Sequence, residues 1–210
     1  TSPERPKVGR APEPPRATRR SEPDVSKPRN KEMTIEQVVD RLEDGMTIGI
    51  ERTPEGRLWA CWVAGEDGPK AFFVLATSDD DGETWSKPCL VIDAQSDRLP
   101  MNRSVLVGNL WTDPSGRLWL FFNQSMMQFD GRSGVWAAVC EDPDDETPVW
   151  SKPRRIWHGF TLNKPTVLST GEWLLPIYDN RNLDAGNEGS VLISDDQGRH
   201  WQRYGRPADG

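Results

Sequence analysis

Two short landmarks recur three times along this chain in a fixed order, and that pattern restricts the fold to a repeat architecture. Pro54-Glu55-Gly56-Arg57-Leu58-Trp59 returns as Pro114-Ser115-Gly116-Arg117-Leu118-Trp119 and, more loosely, as Ser169-Thr170-Gly171-Glu172-Trp173-Leu174. The three glycines are 60 and 55 residues apart. Behind them come Trp85-Ser86-Lys87-Pro88, Trp150-Ser151-Lys152-Pro153 and Trp201, at intervals of 29, 34 and 30 residues from the glycine. The segments between are short, aromatic or β-branched, and bounded by turn residues: Leu58 to Trp62, Ala71 to Leu75, Leu118 to Phe122, Val135 to Val139 and Val191 to Ile193. Each unit is expected to hold one strand before the Gly turn, one after it, one before the Trp mark and one beginning at it. Four antiparallel strands in roughly 55 to 60 residues make a propeller blade. The expectation is an all-β chain with about three four-stranded blades over 46–210.

The flanks read differently. From Thr1 to Lys31, Pro, Arg and Lys surround only isolated Val8, Ala11, Ala17 and Val25, too little apolar surface to offset chain entropy, so residues 1–31 are expected to be disordered. Apolar Ile35, Val38, Val39 and Leu42 at helical spacing, Thr34 and Gln37 as a capping box and Gly45 as a stop predict a short lead-in helix within 32–45. Net charge is −7 with pI near 5.0, which gives no electrostatic footprint for nucleic acid. No apolar stretch approaches the length of a membrane span. Cys61, Cys89 and Cys140 match neither a disulfide framework nor a zinc site and read as small buried residues. The chain begins at Thr1 without Met and shows no secretion signal, so compartment rests on inference from function.

Ser78-Asp79-Asp80-Asp81-Gly82-Glu83-Thr84-Trp85 fits Ser-x-Asp-x-Gly-x-Thr-Trp, and Ser194-Asp195-Asp196-Gln197-Gly198-Arg199-His200-Trp201 fits it with one substitution. This motif resembles the Asp-box, or bacterial neuraminidase repeat, of sialidase-like propellers. The middle copy, Glu141 to Trp150, keeps the Trp and acidic residues without the Ser and Gly. The resemblance covers 46–204 and implies the N-terminal part of a sialidase-type β-propeller, six-bladed when complete, with the remaining blades needed to finish it. Physically the motif is a hairpin turn: Asp80 or Asp196 accepts backbone N–H bonds, Gly82 or Gly198 supplies a positive φ, and Trp85 or Trp201 plugs between strands. A calcium loop with its glycine at 82 would need a Glu at 88, where Pro88 stands. These residues are therefore structural, and neither a metal nor a cofactor is expected.

Blade topology puts the Gly turns and Asp-boxes on one end, which the resemblance implies faces away from substrate. The opposite end is built by Ala64 to Lys70, Asp93 to Gly108, Asn123 to Gly134, Trp157 to Lys164 and Tyr178 to Gly189. Its candidate groups are Glu66, Asp67, Asn102, Arg103, Asn123, Gln124, Asp130, Arg132, His158, Asn163, Lys164, Tyr178, Asp179, Asn180, Arg181 and Glu188. Carboxylates beside guanidinium, amide and phenol groups suit an acidic or hydroxyl-rich sugar. Gly49, Asn109 and Lys164 each lie seven residues before a turn glycine, on strands that line the channel, and Asn163-Lys164-Pro165 resembles a run seen in many sialidase-like proteins. A lysine there binds a carboxylate or pairs with a neighbouring loop acid.

The resemblance implies a glycan substrate and hydrolysis of a terminal glycosidic bond with a loop carboxylate as acid/base, Asp67 being the nearest match and His158 a second catalytic candidate. Met46 stands where sialidases carry the first arginine of a substrate-carboxylate clamp, which argues against sialic acid as the preferred substrate. The family's other clamp arginines, its Tyr nucleophile and the Glu partner come from later blades, so no nucleophile role passes to Tyr178. Two alternatives stay open: another glycosidase or a polysaccharide lyase on the same scaffold, with His158 as base, and a non-catalytic carbohydrate-binding propeller. A secreted or periplasmic location follows by analogy.

Overall fold

Three glycine turns set the frame. Gly56, Gly116 and Gly171 adopt φ values of +106°, +86° and +99°, open to glycine at little steric cost. The same two backbone bonds close each turn: Gly56 N to Thr53 O and Thr53 N to Arg57 O, and likewise for Asp113/Gly116/Arg117 and Leu168/Gly171/Glu172. The computed structural model describes residues 46–65, 67–127, 132–179 and 188–204. The Pro/Arg-rich segment, the lead-in helix, Glu66, Asp130, Asn180 and Arg181 lie outside the described residues.

Among the described residues there are twelve strands in three antiparallel meanders and no helix. Blade one is β1 (Met46–Arg52), β2 (Leu58–Ala64), β3 (Phe72–Ser78) and β4 (Leu90–Ile92); blade two is β5 (Arg103–Thr112), β6 (Leu118–Met126), β7 (Ser133–Cys140) and β8 (Arg154–His158). Blade three is β9 (Thr166–Val167), β10 (Trp173–Asp179), β11 (Glu188–Ser194) and β12 (Gln202–Tyr204). These are blades of a β-propeller.

Fourth strands begin later than expected. Blade one's starts five residues after Trp85 and blade two's four after Trp150, whereas β12 starts directly after Trp201. Pro88 and Pro153 explain the delay, because proline brings no N–H to the ladder and pairing resumes only beyond it. Residue 202, which follows Trp201, is not a proline. Asn123, Gln124, Tyr178 and Asp179, expected in loops, lie inside β6 and β10, and Arg103 begins β5.

The core lies between blades. On β6, Leu118, Leu120 and Phe122 pack on Trp59, Cys61, Phe73 and Leu75 of blade one. The alternate residues Trp119 and Phe121 pack on Trp173, Leu175, Ile177 and Trp201 of blade three. A strand buried on both faces has no polar side, hence the unbroken apolar run from Leu118 to Phe122. Trp150 meets Trp59 edge-on at 5.5 Å, and Trp201 meets Phe121 at 6.1 Å, so these two tryptophans reach back onto the preceding blade. Trp85 departs from the expected plug: it is 42% exposed beside Gly82, whose neighbourhood also includes Leu58. Leu58 alternates with Trp59 and so turns away from blade two, where no blade stands among the described residues. Of the cysteines, Cys61 and Cys140 are buried as expected, but Cys89 is exposed, its thiol donating to Leu75 O.

Inner strands approach closely where side chains are absent. A Cβ on Gly49 would lie 3.0 Å from Gly108 O, and one on Gly108 would lie 2.3 Å from the Phe73 ring. Phe73 is fully buried and has no room to yield. Gly108→Ala is therefore expected to lower unfolding free energy by about 1 to 3 kcal/mol through overpacking, with Phe73→Leu in the same chain recovering part of the loss. Denaturant melts of the single and double variants check this, and a Gly108→Ala protein as stable as the parent refutes the close approach.

Candidate functional site

The two ends of the blades use their polar residues in opposite ways. At the end carrying the Ser-x-Asp turns, side chains are consumed by the turn itself. Asp80 Oδ1 accepts the Thr84 N–H at 2.9 Å and the Ser78 hydroxyl at 2.7 Å, and Ser78 Oγ accepts the Gly82 N–H at 2.9 Å. Asp196 accepts the His200 N–H at 2.8 Å and the Ser194 hydroxyl at 2.9 Å, while its second oxygen meets His200 Nδ1 at 2.5 Å. Gly82 and Gly198 sit at φ +89° and +81°. Hydrogen bonding to the ionised form holds both carboxyls at about 2, Asp80 chiefly through the Thr84 hydroxyl and Asp196 chiefly through the His200 backbone N–H. Among the described residues no group of three His, Cys, Asp or Glu is placed to hold a metal ion.

Along the inner strands and their connections, several candidates are engaged by neighbouring elements. Lys164 donates to Glu51 Oε2 at 2.8 Å, and Glu51 Oε1 accepts the Thr112 N–H at 3.1 Å. One carboxylate thus ties β1, β5 and the approach to β9 together, and the lysine pairs with an acid 113 residues away in sequence. Asn123 is fully buried and exchanges two bonds with Thr161, Nδ2 to O at 2.7 Å and N to Oδ1 at 2.9 Å. Thr161 Oγ1 in turn bonds Pro176 O and Asn163 O, both at 2.9 Å, while Asn163 Oδ1 accepts the Lys164 N–H. Asn123 therefore holds the connection carrying Asn163 and Lys164 against both blades.

His158 ends β8 and is exposed; Arg155 approaches its Nδ1 at 2.9 Å. A guanidinium only donates, so Nδ1 is the acceptor in this contact. Tyr178 stacks on Phe160 at 5.5 Å, and burial raises its hydroxyl above the usual range. Asp67 is exposed after β2, and Asp179 ends β10. Asn102 O accepts the Met127 N–H at 2.8 Å.

Buried side-chain atoms without a hydrogen-bond partner among the described residues include Arg103 Nε, Ser104 Oγ and Asn109 Nδ2 on β5, and Arg117 Nη2, Trp150 Nε1 and Glu172 Oε2 outside it. Buried thiols offer no rival chemistry: burial pushes Cys61 up to about 12 and Cys140 to about 11. Sequence reasoning missed Glu51, Thr112 and Ser104. Only the spacing of Lys164 from its turn glycine hinted at an axial partner.

Residues 56–209 match the BNR repeat-like domain, so the chain belongs to that family. No curated protein sequence matches the chain. Among solved structures it resembles a Hadza microbial sialidase, with 16% identity, TM-score 0.60, and coverage of 80% of this chain and 38% of that one. It also resembles a family 117 glycoside hydrolase from the marine bacterium Zobellia galactanivorans, at 14% identity and TM-score 0.55, covering 77% and 55%. An ulvan lyase of polysaccharide lyase family 25 aligns at 12% identity and TM-score 0.56, covering 79% and 44%. The chain thus spans between about two fifths and somewhat over half of these proteins. At such identities the likeness is one of fold.

Two expectations follow. Asn123→Ala leaves the Thr161 N–H and C=O unpaired in a buried site and should cost about 1 to 3 kcal/mol, measurable as a lower denaturant midpoint; an unchanged midpoint contradicts the role given to Asn123. Asp80 and Asp196 have folded pKa values depressed from 3.8 to about 2. The stability they contribute is full above about pH 4 and fades as pH falls towards about 2. Asp80→Asn and Asp196→Asn should melt below the parent at neutral pH, with the gap closing near pH 2; a gap that persists there contradicts the linkage.

Proposed function

We propose that this chain is the N-terminal part of a carbohydrate-active propeller that takes its glycan at the end opposite the Ser-x-Asp turns. The observation that carries the reading is the start of β5, at that end, where Arg103 Nε and Ser104 Oγ are buried without partners. Buried polar groups normally have partners, and sugars offer the hydroxyl and carboxylate oxygens that such groups require. The relatives in fold, named as sialidase, glycoside hydrolase and lyase, support the same reading.

The reaction proposed is hydrolysis of a terminal glycosidic bond through an oxocarbenium-like transition state. Asp67, exposed on the connection after β2, acts as acid/base, and Asn102, Asn163 and Asp179 contribute sugar contacts at the same end. Met46 at the clamp position makes a simple sialoside a poor substrate. Six blades complete the ring, with the later ones supplying the remaining machinery. His158 is less suited to a lyase base while Arg155 holds its Nδ1.

The test is turnover of a glycan panel by the complete protein, with the later blades included. Release of new reducing ends is expected, with Asp67→Asn slowing it by roughly 10²- to 10⁴-fold. Unsaturated products would replace hydrolysis with elimination, binding without turnover would leave a lectin-like propeller, and neither binding nor turnover would overturn the proposal.

A further inference from the structure

We infer that Arg103 reads an anionic substituent, a carboxylate or a sulfate ester, on the bound glycan; this rests on the reading that the end opposite the Ser-x-Asp turns takes a carbohydrate. The inference starts from charge pairing. Arg52 meets Asp81, Arg57 meets Asp79 and Arg117 meets Asp113, each at 2.7 Å, and Lys164 meets Glu51 at 2.8 Å. Arg103 is half-buried, yet among the described residues no acceptor meets its guanidinium, and its Nε is closed off from solvent. A guanidinium nitrogen stripped of water without an acceptor is costly. Such a site calls for an acceptor from outside the described residues.

Its backbone is fixed from several sides. Arg103 pairs with Met126 across the β5–β6 ladder, its carbonyl accepts from the Gln95 side-chain amide, and the preceding carbonyl of Asn102 takes the Met127 N–H. The unpaired head is therefore carried by a rigid strand start, which lowers the ordering cost of binding. Met127, bridged to Arg103 and 41% exposed, adds an apolar surface for the C–H face of a pyranose. A guanidinium matches the paired oxygens of a carboxylate or a sulfate with two parallel N–H bonds, a match that a lone sugar hydroxyl cannot make. Lys164 does not compete for this role, since Glu51 already neutralises it.

The experiment is calorimetric titration of the full chain, its Arg103→Gln variant and its Arg103→Lys variant with three tetrasaccharides: an oligogalacturonide, a sulfated galactan and a neutral galactan. The parent should bind an anionic sugar more tightly than the neutral one, and the carboxylate and sulfate arms identify which group is read. Arg103→Gln should weaken the anionic ligand by roughly 10- to 100-fold and the neutral one far less. Arg103→Lys keeps the charge and loses the fork, so it should recover only part of the affinity, and it supplies the reading if the glutamine variant does not fold. Equal binding of anionic and neutral sugars by the parent, or an anionic preference that survives both substitutions, overturns the inference and leaves the carbohydrate reading standing. Binding of none of the three overturns both.

Discussion

Blade two is apolar on both faces, and it is buried because the sheets of blades one and three lie against it on either side. The contacts that bring blades together are aromatic: Trp59 with Trp150 between blades one and two, and Trp119, Phe121, Trp173 and Trp201 between blades two and three. Edge-on geometry dominates, as the ring quadrupole favours. Everything polar is arranged around these interfaces. Arg57 reaches from blade one to Pro143 O and Asp145 O of blade two, and Arg154 reaches from blade two to Gly198 O of blade three. Burial lowers the Arg154 pKa, while Asp196 partly offsets that effect. The Trp59 indole also donates to Pro143 O.

Asp113 shows how a charge survives inside such an interface. Its side chain is fully buried, and it accepts from Ser115 N, Arg117 N, Arg117 Nε and Trp119 Nε1. A buried carboxylate is tolerated only when its lone pairs are met. Blade one solves the same position with Thr53 and Asp144, the latter supplied by the degenerate middle copy of the acidic motif. That copy lost its Ser and Gly but kept a cross-blade contact. The turn end is thus densely hydrogen-bonded, although Arg117 Nη2, Trp150 Nε1 and Glu172 Oε2 are buried there without partners, as Arg103 Nε, Ser104 Oγ and Asn109 Nδ2 are on β5.

Much of the architecture was legible because it depends on local rules. Positive φ at Gly56, Gly116, Gly171, Gly82 and Gly198, carboxylates accepting turn N–H groups and the unbroken buried apolar run of β6 each follow from a few adjacent residues. Strand ends were harder. Asn123 looked like a loop residue because it is polar, yet it is buried in β6 once Thr161 satisfies it. Trp85 looked like a plug because its motif matches that of Trp201, but a plug needs a neighbouring blade to enter.

The sequence by itself determined the repeat, the all-β blades, the Gly turns and the chemistry of the Ser-x-Asp motif, since those rest on spacing and on backbone preferences of single residues. Only the tertiary structure decided which polar groups are spent. Lys164 and Glu51 are far apart along the chain, and nothing in either neighbourhood marks them as partners. Arg103 begins β5 and Arg117 closes the turn after it, and the two are alike as residue types. One meets a buried aspartate and the other meets no acceptor among the described residues, a difference set by what the packed blades bring within hydrogen-bonding distance.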